Sequence, residues 1–98
     1  MRLDPDAAAR IASFGEIPPM RMRGLAAVRE AIESAPHPDN LPSMAHIEDC
    51  AIPGPAGQIP IRIYRPSTEA RRPVLVYFHG GGLVMGSNHS FEPLARTL

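Results

Sequence analysis

Cysteine is almost missing: Cys50 is the only one in 98 residues. That excludes an internal disulfide and a thiolate metal cluster, and it fits a reducing compartment. Aromatic side chains are sparse, at 5% with no tryptophan, against 44% hydrophobic residues overall. This is ordinary globular composition, enough for at most one small domain. No sign of charge is in excess, with ten basic and ten acidic side chains, so no long-range field draws nucleic-acid phosphates or an anionic membrane surface, and nucleic-acid binding is disfavoured. No apolar run approaches the roughly 20 residues of a bilayer span. The start, Met1-Arg2-Leu3-Asp4-Pro5-Asp6, lacks the basic-then-apolar build of a secretion signal, and a cytoplasmic protein is expected. There is no internal repeat, and the 12 prolines and eight glycines lie between periodic segments instead of forming a low-complexity tract.

What is present divides into two kinds of pattern. Asp4-Pro5 is a good helix start, since the aspartate can accept a first-turn N–H and proline at the first helical position gives up no bond. A short helix follows over Ala7 to Ser13, and Gly15 with Pro18-Pro19 ends it. A second helix is predicted from Arg21 to Ser34, with Leu25, Val28 and Ile32 at helical spacing and Arg23, Arg29, Glu30 and Glu33 largely elsewhere on the wheel. Pro36 to Ser43 is rich in turn formers and marks the internal boundary, dividing the chain into residues 1–43 and 44–98.

Beyond the boundary the period shortens to two. Ala45 to Ile52 and Gln58 to Arg65 read as strands, the second alternating Ile59, Ile61 and Ile63 with Pro60, Arg62 and Tyr64. Pro53-Gly54-Pro55-Ala56-Gly57 between them reads as a hairpin loop, and Pro60 puts its strand near an unpaired edge. Val74-Leu75-Val76-Tyr77-Phe78 is apolar on both faces, as a central strand covered on each side would be. Ser90 to Leu98 has helical character, with Ser90 as a cap and Glu92 and Pro93 in the first turn.

The strand at Val74–Phe78 runs directly into His79-Gly80-Gly81-Gly82, then Leu83-Val84-Met85-Gly86-Ser87. Consecutive glycines cost backbone entropy, so a chain uses them where the backbone takes special angles or another group must come very close. A phosphate cradle is the first alternative. The dinucleotide pattern fails because Met85 stands where its last glycine would be, counting from Gly80, and Leu83 interrupts it counting from Gly81. The P-loop spacing Gly81 to Gly86 exists, yet Ser87 and Asn88 replace the required lysine and hydroxyl residue. Acyl transfer is the other use: two backbone N–H groups fixed toward a carbonyl oxygen stabilise the negative charge of the tetrahedral intermediate, and side chains there would obstruct the approach.

At these residues the chain resembles the hormone-sensitive-lipase-like bacterial esterases, of the α/β-hydrolase fold, which carry an H-G-G-G loop between the third strand and the first main helix. The resemblance reaches back through Ile52–Gly57 and Ile61-Arg62-Ile63-Tyr64-Arg65-Pro66, similar to the family's first hairpin, and more loosely over the N-terminal helices. It implies an α/β fold of which this chain holds the N-terminal part: cap helices in 1–43, then, in 44–98, the first hairpin, the third strand and the start of the first main helix. Gly81 and Gly82 would offer the two oxyanion N–H groups, with Gly80 allowing the turn and His79 bracing the loop, so that His79 is not the triad histidine. Met20, Met22 and Leu25 become candidates for contact with a small-molecule ester, although plain packing is the commoner use of such a set. No cofactor is implied. The third strand would lie between the fourth and fifth strands of the family's sheet, neither present here, which makes 74–78 a candidate for self-association.

The departures are as informative. None of Ser13, Ser34, Ser43, Ser67, Ser87 or Ser90 has glycine both two before and two after it, so the nucleophile elbow G-x-S-x-G, and the acid and histidine that follow it in the family, are not among these residues. The chain alone is therefore expected to be inactive, and a non-catalytic truncated or ligand-binding relative is the alternative reading. Asn88-His89-Ser90-Phe91-Glu92 also differs from the His-Asp pair many relatives carry there. No metal is expected: His37, His46 and His89 have no spacing that brings two imidazoles to one ion without long-range folding. Cys50 reads as a buried strand cysteine and Arg21, Arg23 and Arg29 as a solvated helix face.

Overall fold

The computed structural model describes residues 3–98; Met1 and Arg2, where the reading of the chain's start begins, lie outside them. The order is α1 (Pro5–Ser13), α2 (Met20–Arg23), α3 (Leu25–Glu33), β1 (His46–Gly54), β2 (Gly57–Arg65) and α4 (Glu92–Thr97). Helix α1 starts as its sequence dictates: the Asp4 carboxylate accepts the Asp6 N–H at 2.9 Å, with Pro5 in the first turn.

The single helix expected over Arg21–Ser34 is two. Gly24 takes φ 79° and ψ 149°, a conformation that only glycine adopts freely and that no helix can pass through. The chain turns there, so α2 and α3 pack as a pair. Of the apolar stripe of α3, Val28 is buried, the one buried hydrophobic residue among those described at 4% exposure, while Ile32 is half-buried and Leu25 remains exposed.

Strands β1 and β2 form an antiparallel hairpin in register from His46 opposite Arg65 to Gly54 opposite Gly57. The loop is tighter than Pro53–Gly57, because Pro53, Gly54 and Gly57 extend the ladder and leave only Pro55-Ala56 to turn. Pro60 lies opposite Ala51. Its carbonyl points away from β1 to accept the Asn88 amide at 3.2 Å, a position where a missing N–H costs no ladder bond.

The expected third strand is not formed. Among the described residues the sheet has two strands only, and Val74–Phe78 takes no regular structure and lies open, with Val74, Leu75, Val76 and Phe78 at 88, 68, 69 and 87% exposure. A strand exists through its ladder to a neighbour, and no neighbour lies alongside. Helix α4 begins later than expected as well. Phe91 is its cap, because the Ser90 hydroxyl turns back to accept the Ser87 N–H at 2.8 Å.

The exposed surface is 8404 Å², where a folded monomer of 10.6 kDa would expose about 5,500 Å². The radius of gyration is 16.9 Å, against about 13 Å for a compact domain of this length. Polar ties do much of the joining instead. Arg96 donates through Nε to Pro42 O at 2.8 Å, holding the 36–43 connector on α4, and Arg62 reaches Glu92 at 2.9 Å, holding the hairpin on α4.

Candidate active site

The glycine run becomes a tight loop for reasons visible in its own backbone. Gly81 has φ 132° and Gly82 has φ 62°, and Leu83 follows at φ 64°, the one non-glycine residue with positive φ among those described. The Gly81 carbonyl accepts two N–H groups, from Val84 at 3.2 Å and Met85 at 3.1 Å. A Cβ at Gly81 would lie 1.8 Å from Met85 O, so no side chain fits. A Cβ at Gly80 or Gly82 would meet nothing within 4 Å; these two positions are open toward solvent. Among the described residues neither the Gly81 nor the Gly82 N–H donates a hydrogen bond within the chain.

His79 lies against this loop. Its Nδ1 is 2.8 Å from Gly80 O, close enough to donate in the tautomer that protonates Nδ1. Its ring stacks on Phe91 with centroids 5.3 Å apart. Gly86, at φ 91°, leaves room for both, since a Cβ there would come within 3.0 Å of Phe91 and 3.2 Å of His79 Nδ1.

Helix α3 closes the other side. Arg29 Nε donates to Val84 O at 2.6 Å, and the Ser87 hydroxyl donates to Glu33 at 2.6 Å. Arg29 therefore carries a bond that a purely solvated helix face would not have. Arg29, Glu33 and residues 79–86 line a hollow of about 530 Å³. A smaller one, about 300 Å³, adjoins it across Val84 and Met85 and is lined by Met20, Leu25 and Val28 among others. Of the apolar set read from the sequence, Met20 and Leu25 meet there; Met22 is 73% exposed and lines neither hollow.

A second polar cluster lies where the hairpin meets α4. Arg62 grips Asp49, its cross-strand partner, through Nε at 2.6 Å and Nη2 at 2.8 Å, and Glu92 through Nη1. The hydrogen bonds from Arg62 hold the Asp49 carboxyl below the usual carboxylate range, and Asp49 in turn raises Arg62 further. Burial pushes the Tyr64 hydroxyl up, with Arg62 pulling the other way.

The fold supplies the long-range contact that histidine spacing could not. The rings of His37 and His89 lie 4.5 Å apart, and one donor atom from each of His37, His89 and Glu92 falls within 4.8 Å of the others. His46 is elsewhere, 3.6 Å from Glu48. The only local signal was the His89-x-x-Glu92 spacing at the start of α4; the approach of His37 depends on the Arg96–Pro42 tie.

Comparison with known proteins gives the class first: over part of its length the chain is related to carboxylic ester hydrolases of the hormone-sensitive-lipase-like kind. It is 47% identical over 76 residues to esterase LipI of Mycobacterium tuberculosis, covering 74% of this chain and 23% of the relative. To the carboxylic ester hydrolase LipN of the same organism it is 48% identical over 50 residues, 51% of the chain and 13% of the relative. To an acetyl esterase of Salmonella schwarzengrund it is 35% identical over 57 residues, 58% of the chain and 17% of the relative. The chain thus spans less than a quarter of the length of each of these relatives. No family model matches it. The relatives imply an α/β-hydrolase fold, with which a hairpin and short helices are compatible. Among the described residues no helix is long and apolar enough to cross a membrane.

Proposed function

We propose that this chain supplies the oxyanion-hole loop of a cytoplasmic serine carboxylesterase acting on short to medium acyl esters. The observation that carries the reading is a glycine loop whose Gly81 and Gly82 amides have no hydrogen-bond partner among the described residues and whose residues line a hollow of about 530 Å³. As a serine on another part of the sheet attacks the ester carbonyl, charge gathers on its oxygen, and two amides already in place stabilise that charge without reorganising. His79 keeps the loop's shape, with its ring on Phe91 and its Nδ1 at Gly80 O. Arg29 and Glu33 hold the far side through Val84 and Ser87. Met20 and Leu25, which line the smaller hollow, would border the acyl chain in this reading.

The test is a chimera in which this chain replaces the stretch of esterase LipI that it matches. The chimera is expected to hydrolyse p-nitrophenyl acetate and butyrate and to lose that rate when the glycine loop is altered. A chimera that folds and reacts with a fluorophosphonate, yet keeps its rate whatever is done to Gly81 and Gly82, would falsify the proposal.

A further inference from the structure

We propose that His37, His89 and Glu92 form a binding site for a divalent transition-metal ion of the zinc type, separate from the glycine loop. The three residues share no position with the lining of the larger hollow, and the inference is independent of the esterase reading.

Geometry is the first support. One donor atom from each residue lies within 4.8 Å of the other two. Zinc bonds of about 2.0–2.2 Å in tetrahedral geometry hold ligand atoms about 3.3–3.5 Å apart, so closure needs movements of about an ångström. His89 is exposed and free to make them. The turn that starts α4, with Glu92 N–H donating to His89 O at 3.0 Å, keeps those two residues on one side. The Arg96 bond to Pro42 O keeps the connector that carries His37 beside them.

The second support is an orphan. His37 Nε2 is shielded from solvent and has no hydrogen-bond partner among the described residues, a state that native proteins avoid unless an ion or a water completes the group. A neutral imidazole offers a lone pair there, and imidazole favours zinc, copper or nickel over calcium or magnesium.

Charge and orientation are also suitable. Glu92 is fixed by Arg62 at 2.9 Å and Arg96 at 3.2 Å, as metal-binding carboxylates usually are by outer partners. The two guanidiniums are balanced by Glu92 itself and by Asp49 on Arg62, so a cation enters surroundings without net positive charge. Occupied, the site would clip the connector to α4.

The experiment is a titration of the 98-residue chain with zinc chloride by calorimetry, with histidine resonances followed by NMR. One zinc per chain is expected, with the imidazole signals of His37 and His89 shifting while those of His46 and His79 stay. His89→Ala, at an exposed position, is expected to weaken binding at least about tenfold, with His46→Ala and Cys50→Ser unchanged; magnesium is expected not to compete. Repeating the titration on the esterase chimera guards against poor folding of the chain alone. Absence of saturable binding up to about 1 mM zinc in both proteins, binding indifferent to His89→Ala, or binding lost in Cys50→Ser each overturns the proposal.

Discussion

Alanine placed in turn at Gly80, Gly81 and Gly82 separates what the backbone needs from what a substrate needs. At Gly81 two penalties combine: φ 132° suits no L residue, and the added Cβ falls 1.8 Å from Met85 O. The backbone conformation alone costs about 1–3 kcal/mol, and the overlap forces the loop to open, withdrawing the carbonyl that holds Val84 and Met85. In the LipI chimera, Gly81→Ala is expected to lower kcat by about 100- to 1000-fold, the cost of losing one oxyanion donor. KM should change little, because the interaction is made in the transition state. Gly82→Ala has open space but φ 62°, so its backbone penalty is about 1–2 kcal/mol. Gly80→Ala meets nothing within 4 Å and has no positive φ; any loss of rate there reports a clash with the ester itself. Steady-state kinetics on p-nitrophenyl butyrate, with fluorophosphonate labelling to count intact nucleophiles, gives the order. Should Gly81→Ala leave kcat within a few-fold of the parent, the loop does not hold the oxyanion.

Other outcomes follow from the same contacts. The 98-residue chain alone is expected to show no hydrolysis of p-nitrophenyl esters above background and no fluorophosphonate labelling, since no serine here is flanked as an elbow requires; gel fluorescence with a tagged probe reads this directly. Association through 74–78 is expected in proportion to concentration, and Val76→Lys, at a position 69% exposed, should shift sedimentation toward monomer. Because Asp49 has a folded pKa below its unfolded value, its contribution is complete above about pH 4 and disappears as pH falls through the lower folded value. Asp49→Asn should therefore flatten the acid limb of the hairpin's melting profile and leave its alkaline side unchanged. Arg29→Ala removes the 2.6 Å bond to Val84 O and is expected to speed amide exchange at Val84 and Met85, with the hairpin amides unaffected.

The sequence was most legible where a feature is specified by residues close together. Asp4, Pro5 and Asp6 determine the start of α1 within three positions. The β1–β2 register follows from alternation and one short turn, although the turn came out tighter because Gly54 and Gly57 still pair. Gly24 carried the signal for the α2–α3 break, and it was masked by the apolar spacing of Leu25, Val28 and Ile32, which predicts a helix without saying where it begins. Ser90 is a cap by residue type, but its hydroxyl accepts the Ser87 N–H instead, a turn contact that sequence pattern alone does not distinguish from a cap.

Long-range features were legible only in part, and the two that matter most differ in kind. Val74–Phe78 has the composition of an enclosed strand, yet apolar composition states a need for neighbours and supplies none. The result is 88% exposure at Val74 and 87% at Phe78, within a surface of 8404 Å² that exceeds the folded expectation of about 5,500 Å². Burying apolar surface is the dominant favourable force in folding, so 74–78 is the segment where pairing with another strand would gain most, and it is there that Val76→Lys tests association. The His37–His89–Glu92 cluster is the reverse case. Histidines 52 positions apart carry no mutual signal in a sequence, and they meet because Arg96 and Arg62 tie a connector and a hairpin to one short helix. An ion at that junction would fasten the connector to α4 where apolar packing is thin, because its binding free energy adds to folding. Zinc should then raise the chain's melting temperature, and the rise should vanish in His89→Ala.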